Sequence, residues 1–139
     1  MSNDILSAMK ISAMGMKVQG TRLRVVTENV ANADTTGLTP GSEPYHRQII
    51  TFKNEMDRQS GVDLVSVDKI RADNKTAFPM KYIPDHPAAN AQGMVKMPNV
   101  NPLIELMDVR EAQRSYEANL GLIEQAKSMA MRTIDLLRA

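Results

Sequence analysis

A chain of 139 residues and 15.4 kDa is sized for one ordinary domain, and its hydrophobic content of 42% is adequate for a core, although aromatics make up only 4% and Trp is absent. With 17 basic residues against 16 acidic ones and a net charge of +1, there is no cationic excess to neutralise phosphates or hold an anionic bilayer, which argues against nucleic acid and a polybasic membrane anchor. Cysteine is absent, removing disulfides, thiolate nucleophiles and zinc–thiolate sites.

Bulk is supplied by aliphatics and by 11 Met, flexible thioethers that suit adaptable helix surfaces better than a rigid pocket. Residues 1–32 lack the n-region, apolar run and cleavage site of a secretory signal, and no stretch approaches the ~18 apolar residues of a spanning helix. Work outside the cytoplasm would require another export route.

From Asn3 to Asn32 there is no proline, and Met9, Met16, Leu23 and Val30 recur every seven residues. Ile5, Ser12, Gln19 and Val26 flank them on one side, and Leu6, Ala13, Gly20 and Thr27 on the other. The pattern predicts a helix with a heptad seam, about 45 Å long. Ser2 or Asn3 is the expected N-cap, and Asp4 suits the positive end of the helix. Gly15 and Gly20 each weaken a helix by ~1 kcal/mol, so both are expected to mark close approach by a neighbour.

The middle of the chain changes texture. Thr39 to Pro44 reads as a loop, Arg47 to Phe52 as a strand, and Val62 to Ile70 as a second strand through Val62, Leu64 and Val67. Phe78 to Ile83 is a third strand, kept to an edge by Pro79. Asp85 to Gly93 is turn-rich, and Met94 to Met97 closes a small sheet. No internal repeat is present.

Asn101-Pro102 reads as an N-cap followed by proline at the first helical position. Beyond it Val109, Tyr116, Ile123, Ala130 and Leu137 hold a second heptad, accompanied by Leu106, Leu120 and Ile134 and interrupted by Gln113 and Lys127. The expected fold is therefore α+β, with long N- and C-terminal helices pairing as a coiled-coil-like inner domain around a small β-rich insert. Residues 1–33 and 99–139 form the inner part, and 34–98 the linker and outer part. Pairing buries only one seam per helix, so the isolated hairpin should be marginal. The termini are expected to be mobile in the monomer and to order on assembly with further subunits.

At the end of the first helix stands Asn29-Val30-Ala31-Asn32-Ala33-Asp34-Thr35-Thr36-Gly37. Asn32 is suited to a left-handed helix stop, and Asp34, Thr35 and Gly37 to the turn. At the other end Pro98-Asn99-Val100-Asn101 leads into a helix bearing Ala112, Arg114, Ser115, Tyr116, Ala118 and Asn119. Together these resemble the signatures of flagellar basal-body rod and hook-type axial proteins, and the C-terminal part is similar to that of proximal rod subunits. Met94 follows Gly93 where that family often has an aromatic, which puts only outer-part contacts in question.

The resemblance implies a structural subunit of the proximal rod, assembled through its terminal helices into the drive shaft that transmits torque. It implies partners among other rod subunits and copies of itself, passage through the flagellar type III export apparatus, and assembly in the periplasm without membrane insertion. The seam residues are then the assembly contacts. No cofactor, metal or catalytic residue is expected. His46 and His86 are read as solvent-facing loop histidines without cysteine companions, and no nucleophile accompanies Asp85.

Tyr116 is expected to bury its ring on the seam. Arg110, Arg114 and Glu117 form a charged face open to solvent or neighbours, and Asn119 is a candidate for a bond across subunits. The rival from another class is an export chaperone or adaptor that binds clients through its amphipathic helices. An enzyme would need a concave polar pocket with perturbed acids, for which the sequence offers no residues.

Overall fold

The computed structural model describes residues 2–138, with side chains from Asp4 onward. Two helices, α1 (Ser2–Ala31) and α2 (Pro102–Arg138), occupy the ends. Between them lie β1 (Gln48–Asp57), β2 (Val62–Ala72), β3 (Met80–Tyr82) and β4 (Met94–Lys96). The architecture is α+β, as the periodicities require. The small sheet expected of four strands is instead two separate two-stranded ribbons, β1–β2 and β3–β4. The cap expected at Ser2 or Asn3 lies outside the described side chains.

The chain divides into two compact units. One comprises Met1–Leu23, Thr51–Lys69 and Arg110–Ala139; the other comprises Arg24–Ile50 and Ile70–Val109. Each helix, and the β1–β2 hairpin, contributes to both.

In the first unit α1 and α2 run antiparallel. Asn119 of α2 lies against Gly15, and two turns later in α1 the Arg22 guanidinium meets the Glu111 carboxylate at 3.6 Å, two turns earlier in α2. A methyl at Gly15 would stand 2.9 Å from the Asn119 carboxamide, so the missing side chain is what admits it. Gly20 has open space where its Cβ would be, contrary to the expected close approach. Asn119 also donates to its own Ser115 carbonyl at 2.9 Å. Gly20→Ala is expected to raise stability by about 1 kcal/mol, because only helix propensity changes. Gly15→Ala should bring no gain, because Asn119 must move. Urea unfolding of both variants tests this: equal gains would mean that Asn119 is not held.

The hairpin turns tightly at Gly61, which has φ 66° and donates its N–H to the Asp57 carbonyl at 2.8 Å. Leu64 is its buried side chain. The Asp57 carboxylate accepts from Ser60 and from the Lys10 ammonium, tying the turn to α1.

In the second unit α1 ends without a left-handed residue. No non-glycine residue among those described has positive φ. Asn32 instead donates its side-chain N–H to the Glu28 carbonyl at 2.9 Å and accepts from the Thr35 hydroxyl at 3.1 Å. The Glu28 carbonyl also takes the Asn32 backbone N–H at 3.1 Å, so the side chain adds a second bond at the helix end. The start of α2 follows the sequence reading, with the Leu103 N–H donating to Asn101 Oδ1 at 3.1 Å and Pro102 at the first helical position.

The β3–β4 ribbon is antiparallel, with Lys81 opposite Val95, whose side chain is fully buried. Gly93 has φ 75°, and a methyl there would stand 2.8 Å from the Tyr82 ring. The strand expected over Phe78–Ile83 is only Met80–Tyr82, and Pro79 lies just before it, where its carbonyl accepts from the Met97 N–H at 2.8 Å.

Candidate assembly surface

The buried side chains are small or polar. Those of the first unit include Val18, Ala112, Ala126 and Ser12, with the larger Leu64, and those of the second include Val25, Val26, Ala88, Val95, Asn29, Asp73, Asn99 and Glu105. The large apolar residues lie outside. On α2 these are Leu103, Ile104, Leu106 and Met107 near its start, then Leu120, Leu122, Met129, Met131, Ile134, Leu136 and Leu137.

The predicted seam residues divide accordingly. Met9, Met16, Leu23 and Val30 on α1, and Val109, Tyr116, Ile123 and Ala130 on α2, are half-buried. Leu137 is 83% exposed, and the companions Leu106, Leu120 and Ile134 are also exposed. The residues α2 does bury form a different heptad: Glu105, Ala112 and Ala126, with Asn119 half-buried between them. Sequence reading passed over Glu105 and Ala126 because a carboxylate and an alanine carry little hydrophobic signal. Their seven-residue spacing was the available clue.

The two Asn-rich signatures meet at the base of the hairpin, in the second unit. Asn29 is 1% exposed, and its carboxamide uses every valence. It donates to the Gln48 carbonyl at 2.9 Å and to Glu105 Oε2 at 3.0 Å. It accepts from the Gln48 N–H at 2.8 Å and the Tyr45 hydroxyl at 2.9 Å. The side chain thus pairs with the first residue of β1 as a neighbouring strand would.

Asn99 does the same one residue earlier. It accepts from the Arg47 N–H at 2.8 Å and donates to the carbonyls of Asp73 at 2.9 Å and Thr76 at 3.2 Å. The Asp73 N–H closes the hairpin base on the Arg47 carbonyl at 2.7 Å. Glu105, with no exposed surface, receives the Arg47 guanidinium on its other oxygen. A buried carboxylate is tolerable only when paired and hydrogen-bonded in this way.

Other motif residues serve the turn. Gly37 leaves room for Ser42, whose Oγ would lie 2.0 Å from a Cβ at that position. Ala31 and Arg114 are exposed, and Pro98 is buried.

Neither histidine faces solvent as expected. His46 stacks edge-on against Phe78 at 4.8 Å and meets Glu43 at 2.8 Å. His86 accepts the Ala88 N–H on Nδ1 at 3.1 Å and meets Thr36 through Nε2 at 3.3 Å. Both are half-buried, because loop residues fold over them.

Among the described residues three titratable groups depart from their ordinary ranges, each for a structural reason. Burial, followed by the charges of Glu28 and Glu105, raises Tyr45, which keeps the hydroxyl a donor to Asn29. The Thr76 hydroxyl and the backbone N–H groups of Lys75 and Thr76 lower Asp73, as in an Asx turn. Hydrogen bonding from Lys10 and then Ser60 lowers Asp57 to about 2.

Because Asp57 titrates lower folded than unfolded, its stabilisation is complete above the ordinary carboxylate range and is lost as pH falls toward about 2. The expected result is a urea midpoint that declines on acidification from pH ~5 and declines less in Asp57→Asn. Parallel profiles would show that the Lys10–Asp57 pair contributes nothing. Among the described residues no three metal-ligating side chains converge, and no helix is long and apolar enough to cross a membrane.

Residues 9–39 match a family described as "Flagella basal body rod protein", and residues 91–136 match "Flagellar basal body rod FlgEFG protein C-terminal". The chain is similar to a protein of Agrobacterium fabrum strain C58 named flagellar basal-body rod protein FlgC, with 53% identity over 133 residues covering 96% of this chain and 95% of that one. The protein of the same name in Salmonella typhimurium strain LT2 is 35% identical over 136 residues, covering 95% and 97%. The one in Bacillus subtilis strain 168 is 32% identical over 144 residues, covering 93% and 95%.

Proposed function

This chain belongs to the FlgC family of flagellar basal-body rod proteins, and from that premise we propose how it builds the rod: neighbouring subunits cover the apolar side chains that its own fold leaves in solvent. It is a structural subunit of the flagellar basal-body rod, a component that assembles with other rod subunits. The carrying observation is the set of large apolar residues exposed on α2, above all Met129, Met131, Ile134, Leu136 and Leu137. A helix so dressed loses free energy in water and gains it in a packed bundle.

On this reading the half-buried seam of Met9, Met16, Leu23 and Val30, with Val109, Tyr116, Ile123 and Ala130, is completed between subunits. Residues 1–33 and 99–139 build the inner shaft, and 34–98 faces outward. Unfolded subunits leave through the flagellar type III export apparatus, need no membrane insertion, and assemble in the periplasm. The shaft transmits torque because many shallow seams pack cooperatively. The role is mechanical, with no catalysis and no cofactor.

Mass spectrometry of purified basal bodies is expected to find the chain there at stoichiometric levels. Its absence, with a stable small oligomer bound to export clients, would favour a chaperone instead. Hydrogen exchange supplies a second test. In dilute monomer, amides of the last turns of α2, Met129–Leu137, whose side chains lie in solvent, are expected to exchange readily, and in assembled rods to be protected. Strong protection there in the dilute monomer would contradict ordering of that end on assembly.

A further inference from the structure

In the β3–β4 ribbon of the second unit Met80 pairs with Lys96 and Tyr82 with Met94, so the four share one face. Met80 is 45% exposed, Lys96 is exposed and Met94 is half-buried. Met80, Met94 and Ala88 line a notch of about 210 Å³, with Lys96 on its polar side. That is below the ~300 Å³ at which small-molecule pockets begin, so the notch is sized for one side chain rather than for a free ligand or a helix.

The same unit holds a side chain out in water on a loop built to keep it there. Leu38 is 86% exposed, more than any other large apolar residue among those described. The base of its loop is closed by the Tyr45 N–H on the Thr35 carbonyl at 3.0 Å. Beside Leu38, the Ser42 N–H donates to the Thr39 carbonyl at 3.0 Å. Ser42 Oγ accepts the Thr39 N–H at 3.1 Å and donates to the same carbonyl at 2.6 Å. Gly41 takes φ 86° to close the turn. A loop so held loses little freedom when it docks.

The two features also match in charge. Asp34 and Glu43 are exposed on either side of the loop, and no basic residue lies between Ala33 and Tyr45. Lys96, at the notch, has no ion pair among the described residues. Gly37 and Gly41 border the chain's own notch, but Leu38 stands outside it.

We propose that Leu38 of one copy of this chain seats in the Met80–Met94 notch of the next copy, with the acidic loop meeting Lys96. The proposal rests on the rod reading and names a side-to-side contact between outer parts. Loop and notch are different patches of one surface, so the contact is head-to-tail and leaves one of each free for further copies.

The chain has no cysteine, so engineered thiols report cleanly. In cells making full-length Leu38→Cys and Met80→Cys chains together, oxidised basal bodies are expected to yield disulfide dimers holding one chain of each kind. Basal bodies with Leu38→Cys alone should yield none. Separately, Lys96→Glu is expected to lower incorporation by about tenfold, because like charges then face each other. Glu43→Lys in the same chain should restore it, which a purely structural role of Lys96 would not allow.

Dimers from Leu38→Cys alone, showing that loop meets loop, would overturn the proposal. So would disulfides only to a different basal-body protein, or a Lys96→Glu defect that Glu43→Lys leaves unrepaired. If both variant chains are found in basal bodies and no mixed dimer forms, the contact fails and the rod reading stands. If the unsubstituted chain is absent from basal bodies, the rod reading itself fails.

Discussion

Asn29→Asp is expected to destabilise the protein by about 3–5 kcal/mol, the range found when a buried charge loses its partner, although the two side chains have the same shape. At this site the carboxamide donates to Glu105 and to the Gln48 carbonyl while accepting from Tyr45 and the Gln48 N–H. Aspartate keeps the acceptors and loses both donors. It would also set a second carboxylate against Glu105, which has no exposed surface.

Asn29→Ala removes the same bonds without adding charge, and should cost less, about 2–4 kcal/mol. Against a total stability of about 5–15 kcal/mol, either change is large. Urea unfolding of the monomer measures both. If shape alone mattered, Asn29→Asp would be nearly neutral and Asn29→Ala the worse of the two. That order would sink the clamp.

Deleting Met131–Ala139 is expected to abolish incorporation into basal bodies, and with it motility, while leaving monomer stability and export nearly unchanged. The removed side chains Met131, Ile134, Leu136 and Leu137 are already in solvent, so the monomer forfeits little packing. An assembled neighbour would forfeit the burial of several aliphatic groups, each worth about 1.5–3 kcal/mol. Soft-agar swimming, secretion assays and thermal melts separate the three effects. A motile strain carrying the truncation refutes the assembly role of this end of α2. A collapsed melting temperature would show instead that these residues support the fold.

Much of the fold was readable from local chemistry. The proline-free stretch to Asn32 and the Asn101-Pro102 start bound both helices to within a residue or two, because caps and breakers act on their own neighbours. The strands were found with shifted bounds: β1 reaches Asp57 rather than Phe52, since Lys53, Asn54 and Glu55 sit exposed on a ribbon that solvent bathes, whereas β3 holds only Met80–Tyr82 of the expected Phe78–Ile83. The single small sheet failed because pairing is a long-range choice, and nothing local in Gln48–Ala72 forbids a hairpin of its own.

The site was half legible. The Asn-rich stretches stood out as motifs, but were read as turns and caps. Asn32 and Asn101 do cap helices. Asn29 and Asn99 instead clamp the hairpin base, a role that depends on partners from Arg47 to Glu105.

The seam showed the same limit. Periodicity marks which residues could share a face, but not which face the partner takes. On α2 the tertiary structure buries Ala112 and Ala126, with Asn119 seated against Gly15, and leaves the leucines outside. The amino-acid order by itself determined two amphipathic helices with defined ends and more greasy surface than one chain can hide, because period and capping are encoded within a few residues. Only the tertiary structure decided that close backbone approach favours the small residues inside and two asparagine side chains as stand-ins for strands. Those outcomes depend on atoms brought together from far along the chain.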